Sequence, residues 1–434
     1  MTRRQILAWL PFVSRSFTQP TRRQPNFLIL FADDMGWGDL PVNGRKDWET
    51  PHLDRLARQG TVFTRWYTAF PLCAPSRAAL LTGKYSIHNG VRTNSHDLAP
   101  SEVTLAEALK PLGYRSALIG KWHRGRRPDG GFTHPLDQGF DYTFGYLDAR
   151  HAWEHFPKKL WRGRDEVPVA GYSSDLLADE AIRFIQQNRA NPFFLYVPFI
   201  EPHFLIEAPE QDVRKYRGRF REKDPSKPLN ATYAAMIHRL DHSIGRILKA
   251  LAEAGLEQDT IVLFTSDNGA TFEAGNQGAS WYHDSNRPFR GQKRSLEEGG
   301  IREPAMIRWP GRVPAGVQSD AVIHNIDVFP TLLAAAGSQP DPAWKVDGYN
   351  MLGVWTGKEA PPERTLFWEI ETDGWRMHAA MRGDYKLLIT GDNKFLYNVK
   401  EDPQERRTLG GAHPELLKQL EAELKAWLAT AVKM

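Results

Sequence analysis

The chain has 434 residues, 41% of them hydrophobic and 25% charged, which is an ordinary globular composition and length enough for one large α/β domain or two to three smaller ones. Its 56 basic and 52 acidic side chains leave a formal charge of +4 with no long basic run, so nothing tracks a nucleic-acid backbone, while an anionic substrate is compatible. A single cysteine, Cys73, excludes an internal disulfide framework.

Residues 1–25 are set apart from the fold. Arg3 and Arg4 precede an apolar run from Ile6 to Val13 that is broken by Pro11 and too short to span a bilayer. The pattern resembles a shortened twin-arginine export signal, without a small-x-small cleavage site; a basic leader is the competing reading. The first predicts a periplasmic or secreted protein, the second a cytoplasmic one, and neither a transmembrane segment.

The apolar run 26–32 (NFLILFA) predicts a strand buried on both faces and ending at Asp33 and Asp34. Adjacent carboxylates there are costly unless something positive joins them; a hard divalent cation with oxygen ligands is the natural partner, and a solvated turn, which the glycines of DDMGWGD also fit, is the competing reading. Thr50 and Pro51 open a helix that Gly60 closes. The stretch 73–83, CAPSRAALLTG, predicts a short helix with Pro75 in its first turn and Gly83 past its end. Cys73 then stands where unpaired N–H groups favour an anion, and Arg77 adds a fixed cation one turn on. A capping box from Thr104 to Glu107 starts another helix, followed by a strand over 114–119 and GKWHRG, where Lys121 and His123, two apart on an extended segment, project to one side.

Residues 124–171 show no periodicity and read as a long irregular insertion. Its His151, Trp153, His155 and Trp161 are read first as loop packing and second as a substrate wall. A helix over 173–190 and a strand over 193–200 deliver Glu201, Pro202 and His203; a long helix over 230–255 and a strand over 260–265 deliver Asp267 and Asn268, both hard oxygen donors. Asn286 to Pro304 carries Lys293, and a strand over 305–309 and a helix over 327–337 follow. The C-terminal part has strand candidates at 365–370, 378–381, 385–390 and 395–398 and a last helix from Pro414. Four polar groups thus each follow a different apolar strand at its C-terminal end, where open α/β sheets bind ligands.

CAPSRAALLTG matches the signature CxPSRxxxLTG letter for letter, and FADDMGWGDL, GKWHRG, EPH, TIVLFTSDNG and RGQK with its following EGG are similar to further motifs of the same family. The chain resembles a type I, formylglycine-dependent sulfatase of the alkaline phosphatase superfamily. Arg124, Phe204, Leu205 and Glu303 depart from the usual pattern, Glu303 where an apolar residue is common.

The resemblance implies a large mixed, mostly parallel sheet sandwiched by helices over 26–357, with DGYNMLGVWTG leading into a smaller subdomain, 358–434, that has an antiparallel sheet and a terminal helix. It implies that a maturation enzyme oxidises Cys73 to formylglycine. One divalent cation, calcium rather than magnesium, would sit on Asp33, Asp34, residue 73, Asp267 and Asn268. Arg77 and Lys121 would hold the aldehyde hydrate, His123 would act as base, and His203 as acid with Lys293 assisting. The implied activity is hydrolysis of a sulfate monoester on a carbohydrate or aryl compound. A phosphate mono- or diesterase of the same superfamily and a non-catalytic sulfated-glycan binder are the alternatives, and the intact CAPSR stands against the binder.

Overall fold

The computed structural model describes residues 24–125, 131–372 and 375–432, so the leader lies almost wholly outside the described residues. Strand β1 (Asn26–Ala32) shows how the apolar runs build the protein. Leu28, Leu30 and Ala32 enter one core with Leu177 and Phe184 of the helix Ser173–Gln187 and Leu240 and Ile244 of the helix Leu229–Glu253. Phe27, Ile29 and Phe31 enter a second core on the opposite face, with Leu80 and Leu81 of the helix Cys73–Thr82 and Phe329 and Leu332 of the helix Val328–Ala335. Alternation along a strand with helices on both sides makes both faces dry, which is why the run reads as continuously apolar.

The other strands of this sheet are β2 (Thr61–Tyr67), β3 (Arg115–Arg124), β4 (Tyr142–Asp148), β5 (Lys159–Arg162), β6 (Asp165–Pro168), β7 (Phe193–Pro198), β8 (Thr260–Ser266), β9 (Arg302–Glu303), β10 (Ala305–Arg308) and β11 (Val317–His324). They lie in the order β11-β2-β10-β8-β1-β7-β3-β4-β5-β6, with β9 paired to β2, making eleven strands with β1. β8, β1, β7, β3 and β4 are mutually parallel and β11 is parallel to β2, whereas β10 runs against both β2 and β8. The alkaline phosphatase-like α/β architecture implied by the motifs is the observed one. β1 and β8 stay in register from Asn26 opposite Thr260 to Ala32 opposite Ser266, so Asp33 and Asp267 leave the sheet side by side.

Three strands, β4 to β6, fall inside the stretch expected to be irregular, and β2 and β11 were not anticipated either. β5 and β6 are four residues each and mostly exposed, and β11 is exposed over its first half, so none carries an apolar run. β2 contains Arg65, whose charge is met by Asp384 and the carbonyl of Gly383 from the far end of the chain. The histidines and tryptophans of this stretch chiefly pack it: His151 lies against Tyr146, Trp153 against Phe204, and Trp161 against the second core.

A second, antiparallel sheet comprises β12 (Thr365–Thr372), β13 (Trp375–Arg382), β14 (Tyr385–Thr390) and β15 (Asn393–Asn398), in chain order. The helix Pro414–Leu428 covers it, burying Leu420 and Leu424 against Ala380, Leu387 and Leu396. The other face meets the large sheet: Trp368 and Met381 pack with Tyr67, Phe70 and Ile301. A buried charge cluster joins the two parts. Lys386 of β14 lies 2.7 Å from Glu298 and 2.8 Å from Glu405, and Glu298 also accepts the hydroxyl of Tyr67 at 2.8 Å.

Candidate active site

The ends of the parallel strands converge on one buried point. Lys121 at the end of β3 donates to Asp33 Oδ2 at 2.6 Å, and Lys293 Nζ lies 2.8 Å from Asp34 Oδ1. Asn268 Nδ2 donates to Asp34 Oδ1 at 2.7 Å, while the backbone N–H of Asp34 donates to Asp267 Oδ1 at 3.1 Å. Arg77 Nη2 donates to Asp267 Oδ2 at 2.7 Å and stands 3.5 Å from Asp33 Oδ2. His203 Nε2 is 3.7 Å from Asp34 Oδ2. Cys73 Sγ lies 3.5 Å from Asp33 Oδ1 and 4.0 Å from Asp34 Oδ1. These contacts bring together Asp33, Asp34, Cys73, Arg77, Lys121, His203, Asp267, Asn268 and Lys293.

The helix Cys73–Thr82 holds the cysteine in its first turn, with Leu72 as N-cap and the N–H of Ala74 taken by Asn94 Oδ1 at 3.1 Å. Pro75 lies where the missing N–H would have no helical partner. Gly83 ends the helix at φ +68°, and a Cβ there would stand 2.8 Å from Val346 and 2.9 Å from Phe329, so only glycine fits both the turn and the packing. Ser76 fixes the helix sideways. Its hydroxyl meets Thr68 Oγ1 at 2.6 Å, Thr68 Oγ1 bonds the carbonyl of Asp267 at 2.8 Å, and Asn325 bridges Thr68 and the carbonyl of Ser76 at 3.2 Å each.

Lys121 and His123 both reach the site, but not by plain alternation. The pairing of β3 with β4 shifts register between Lys121 and Arg124, and His123 sits at φ +68°. A bulge of this kind re-aims a side chain, so the direction of His123 is set by the bulge and not by the two-residue alternation that was expected to put it beside Lys121. Just before it, Gly120 lets β3 approach β7, since a Cβ there would come within 2.0 Å of the carbonyl oxygen of Pro198.

Three carboxylates, Asp33, Asp34 and Asp267, are enclosed with three fixed cations, Arg77, Lys121 and Lys293, all buried. Burial acts against Asp33, yet the charges of Lys121, Arg77 and Lys293 together hold its carboxyl well below the usual carboxylate range. Asp34 is pushed up to about 7 by burial, opposed by Lys293 and reinforced by the charges of Asp33 and Asp267. Burial and Asp33 also raise Asp267, against the pull of Arg77. Lys293 stays charged because Asp34 outweighs its burial. Burial, then Asp267, drives the Cys73 thiol far above the ordinary thiol range, so the unmodified side chain is a neutral thiol and a poor nucleophile. Burial keeps both histidines neutral, His123 further depressed by Lys121 and Arg77, His203 by Lys293.

The donor set fits a hard divalent ion. Ligating atoms of Asp33, Asp34, Cys73 and His203 lie within 4.8 Å of one another, and buried Asn268 Oδ1 has no hydrogen-bond partner among the described residues. An unpartnered buried acceptor beside two carboxylates is what a cation would satisfy. Asp267 is engaged differently from Asp33 and Asp34, with Oδ2 taken by both Nε and Nη2 of Arg77.

The supporting roles of His155, Glu201 and Glu303, all named in the sequence for other reasons, emerge only in the structure. His155 Nε2 bonds the carbonyl of His203 at 3.0 Å, and Glu201, which accepts Ser173 Oγ and the N–H of Ser174, lies behind that ring. The paired serines at the start of a helix were the available signal. Glu303 is buried beside the site with both carboxyl oxygens unpartnered among the described residues. Its departure from an apolar residue was the sign in the sequence.

Residues 25–338 match the family model described as Sulfatase, and residues 290–432 that of N-sulphoglucosamine sulphohydrolase, C-terminal. The chain belongs to the sulfatase family, and it is an enzyme that hydrolyses sulfate esters. It is 37% identical over 379 residues to N-acetylgalactosamine-6-sulfatase of Mus musculus, covering 80% of this chain and 68% of that one. To the steryl-sulfatase of Mus musculus it is 30% identical over 526 residues, with 94% and 82% covered. Among solved structures, Ps i-CgsB in complex with k-i-k-neocarrahexaose superposes with a TM-score of 0.86 at 28% identity, 94% of each chain being covered. The phosphonate monoester hydrolase of Agrobacterium radiobacter shares the fold at a TM-score of 0.71 and 22% identity, over 94% of this chain and 96% of that one.

Proposed function

We propose that the chain removes sulfate from a sulfated carbohydrate, with Arg77, Lys121, His123, His203 and Lys293 acting on the ester around residue 73. The observation that carries this reading is the burial of Cys73, at a helix start, among three carboxylates and three fixed cations. The carbohydrate is supported by the likeness to N-acetylgalactosamine-6-sulfatase and to Ps i-CgsB, which was crystallised with a neocarrahexaose.

Asp33, Asp34, Asp267, Asn268 and residue 73 would hold one divalent cation. An all-protein cage of this many oxygens favours calcium, because magnesium keeps several waters and uses one or two carboxylates. When bound, the cation supplies Lewis-acid polarisation and adds two positive charges to a cluster otherwise balanced at three against three. Converted to formylglycine by the maturation enzyme this reading requires, residue 73 supplies a hydrated aldehyde as the nucleophile.

The side chains supply the rest. Arg77 and Lys121 hold charged oxygens at the start of the helix and need no reorganisation as charge develops in the transition state. His123, neutral and with Nδ1 unpartnered among the described residues, accepts a proton from the hydrate. On the leaving-group side stand His203 and Lys293. His203 Nδ1 donates to the carbonyl of Phe204 at 2.6 Å, which turns Nε2 toward the site. Nε2 of the neutral ring has no proton, so Lys293, held charged by Asp34, is the group that carries one at rest and stabilises the leaving oxygen.

The test is turnover of 4-nitrophenyl sulfate and 4-nitrophenyl phosphate, beside a panel of sulfated sugars, by protein purified from its native host. Faster turnover of the sulfates supports the assignment; phosphate turnover faster by orders of magnitude overturns it. No helix among the described residues is long and apolar enough to cross a membrane. Export on the twin-arginine-like leader predicts that the protein fractionates with the periplasm or medium.

A further inference from the structure

His203 is fixed by its own turn and by one residue outside it. Within the turn, its N–H donates to the carbonyl of Ile200 at 3.0 Å and its ring Nδ1 donates to the carbonyl of Phe204 at 2.6 Å. These bonds shape the turn but do not decide where it stands at the end of β7. The carbonyl of His203 reaches outside, to Nε2 of His155 at 3.0 Å, and among the described residues this is the one hydrogen bond that ties His203 to a distant segment. A carbonyl only accepts, so His155 donates from Nε2.

His155 is itself locked in place. It is buried, its own carbonyl accepts the N–H of Ser173 at 2.8 Å, and its ring stacks on Tyr172 with centroids 5.9 Å apart. Nδ1 faces Ser173 Oγ at 3.4 Å and Glu201 Oε1 at 3.7 Å. Glu201, equally buried, accepts Ser173 Oγ, the N–H of Ser174 at 3.1 Å and the N–H of Ile200 at 3.3 Å. The start of the helix Ser173–Gln187 favours a carboxylate there. The backbone carbonyl of Glu201 accepts the N–H of Asp33 at 3.1 Å. One residue thus ties the end of β1 to the ring that holds His203.

The placing of this turn bears on the reaction. His203 Nε2 is 3.7 Å from Asp34 Oδ2 and Lys293 Nζ 2.8 Å from Asp34 Oδ1, so the two groups on the leaving-group side stand about one carboxylate. Their spacing depends on where the His203 turn is held, and a misplacement of about 1 Å can cost about a hundredfold in rate.

We propose that His155, backed by Ser173 and Glu201, is a positioning residue for the reaction: through the carbonyl of His203 it sets where that ring meets the departing oxygen. The proposal rests on the placing of His203 on the leaving-group side. It gives a function to a histidine that acts on the ester only through another residue, in a segment whose sequence reads first as loop packing.

The experiment measures kcat/KM of the matured enzyme on aryl sulfates whose phenols span a range of acidity, for the wild type, His155→Gln, His155→Asn, Ser173→Ala and His203→Ala, with thermal unfolding of each. This ratio closes at cleavage of the S–O bond, before sulfate is expelled from residue 73. A glutamine places its amide N–H where Nε2 stands and keeps the bond to the carbonyl, whereas the amide of asparagine reaches only as far as Nδ1. His203→Ala is expected to make the rate fall more steeply as the phenol becomes a poorer leaving group. His155→Asn should follow it, losing about 10- to 100-fold on phenyl sulfate and little on 4-nitrophenyl sulfate, while His155→Gln keeps the wild-type slope. Ser173→Ala frees the far side of the His155 ring and should steepen the slope by less. A wild-type slope in His155→Asn, or in Ser173→Ala where that variant alone folds, would overturn the positioning role; so would an equal loss on every phenol, because a merely structural residue lowers all rates alike. A wild-type slope in His203→Ala would overturn the leaving-group reading itself.

Discussion

Arg77 meets Asp267 through two nitrogens on one carboxylate oxygen, Nη2 at 2.7 Å and Nε at 3.2 Å, so the cation one turn into the cysteine helix is fixed to the end of β8. A lysine cannot reproduce that fork. Arg77→Lys is expected to lower kcat/KM on an aryl sulfate by about 10²- to 10³-fold, the usual effect of losing one preorganised donor. Arg77→Met leaves a buried carboxylate uncompensated and should also cost about 3–5 kcal/mol of stability. Steady-state kinetics and urea unfolding separate the two effects.

Lys386 is the hub of the contact between the two sheets, with Glu298, Glu405 and the carbonyl of Leu296 around its ammonium. Lys386→Met removes the one cation among the described residues that pairs with both carboxylates and is expected to destabilise the protein by about 3–5 kcal/mol. Activity per folded molecule should be unchanged, because the cluster touches none of the groups around Cys73. Chemical unfolding and activity at low denaturant check both halves.

Glu303 gives a prediction with a sign. Burial first, then the charges of Asp267 and Asp34, raises its carboxyl well above 4.5, so the folded protein keeps it neutral. Below about pH 4.5 both folded and unfolded states are protonated and no cost arises. As pH rises past that value the unfolded chain ionises and the folded one does not, so stability falls with pH until the folded group itself titrates. Glu303→Gln removes this slope of up to about 1.4 kcal/mol per pH unit. The gain in unfolding free energy over the wild type should therefore be larger at pH 8 than at pH 5; an equal gain at both would sink the explanation.

Removal of the cation should abolish sulfate turnover and lower the unfolding temperature. Readdition of calcium should restore both, at lower concentration than magnesium; a ligand at a hundred times its Kd adds about 2.7 kcal/mol. Differential scanning calorimetry on chelated protein titrated with each ion is the measurement.

The candidate site was legible in the sequence to an unusual degree because most of its residues follow a short apolar strand or lie in the first turns of a helix, and those patterns are local; Lys293 lies in a turn and was marked only by the likeness of RGQK to a family motif. Asp33, Lys121, His203 and Asp267 could be placed at strand ends without knowing which strands were neighbours. What could not be read depends on distant approach. The short strands β5 and β6 and the edge strand β11 carry no apolar run, and β2 hides Arg65 through a partner more than three hundred residues away. The bulge at His123, which replaces the plain alternation expected there, is a backbone irregularity with no mark in GKWHRG. Thr68 and Asn325, which hold Ser76, become meaningful only once three segments meet, and the same is true of the buried Lys386 cluster.

The central claim is that residue 73 acts as an aldehyde and not as a thiol, which agrees with a thiol held neutral by burial among carboxylates. Mass spectrometry of the proteolytic peptide containing Cys73, from protein made in its native host, tests it most directly. The expected mass is about 18 Da below that of the thiol peptide, the difference between a CH2SH and a CHO group. A peptide carrying the intact thiol, from a preparation that hydrolyses sulfate esters, would contradict the account.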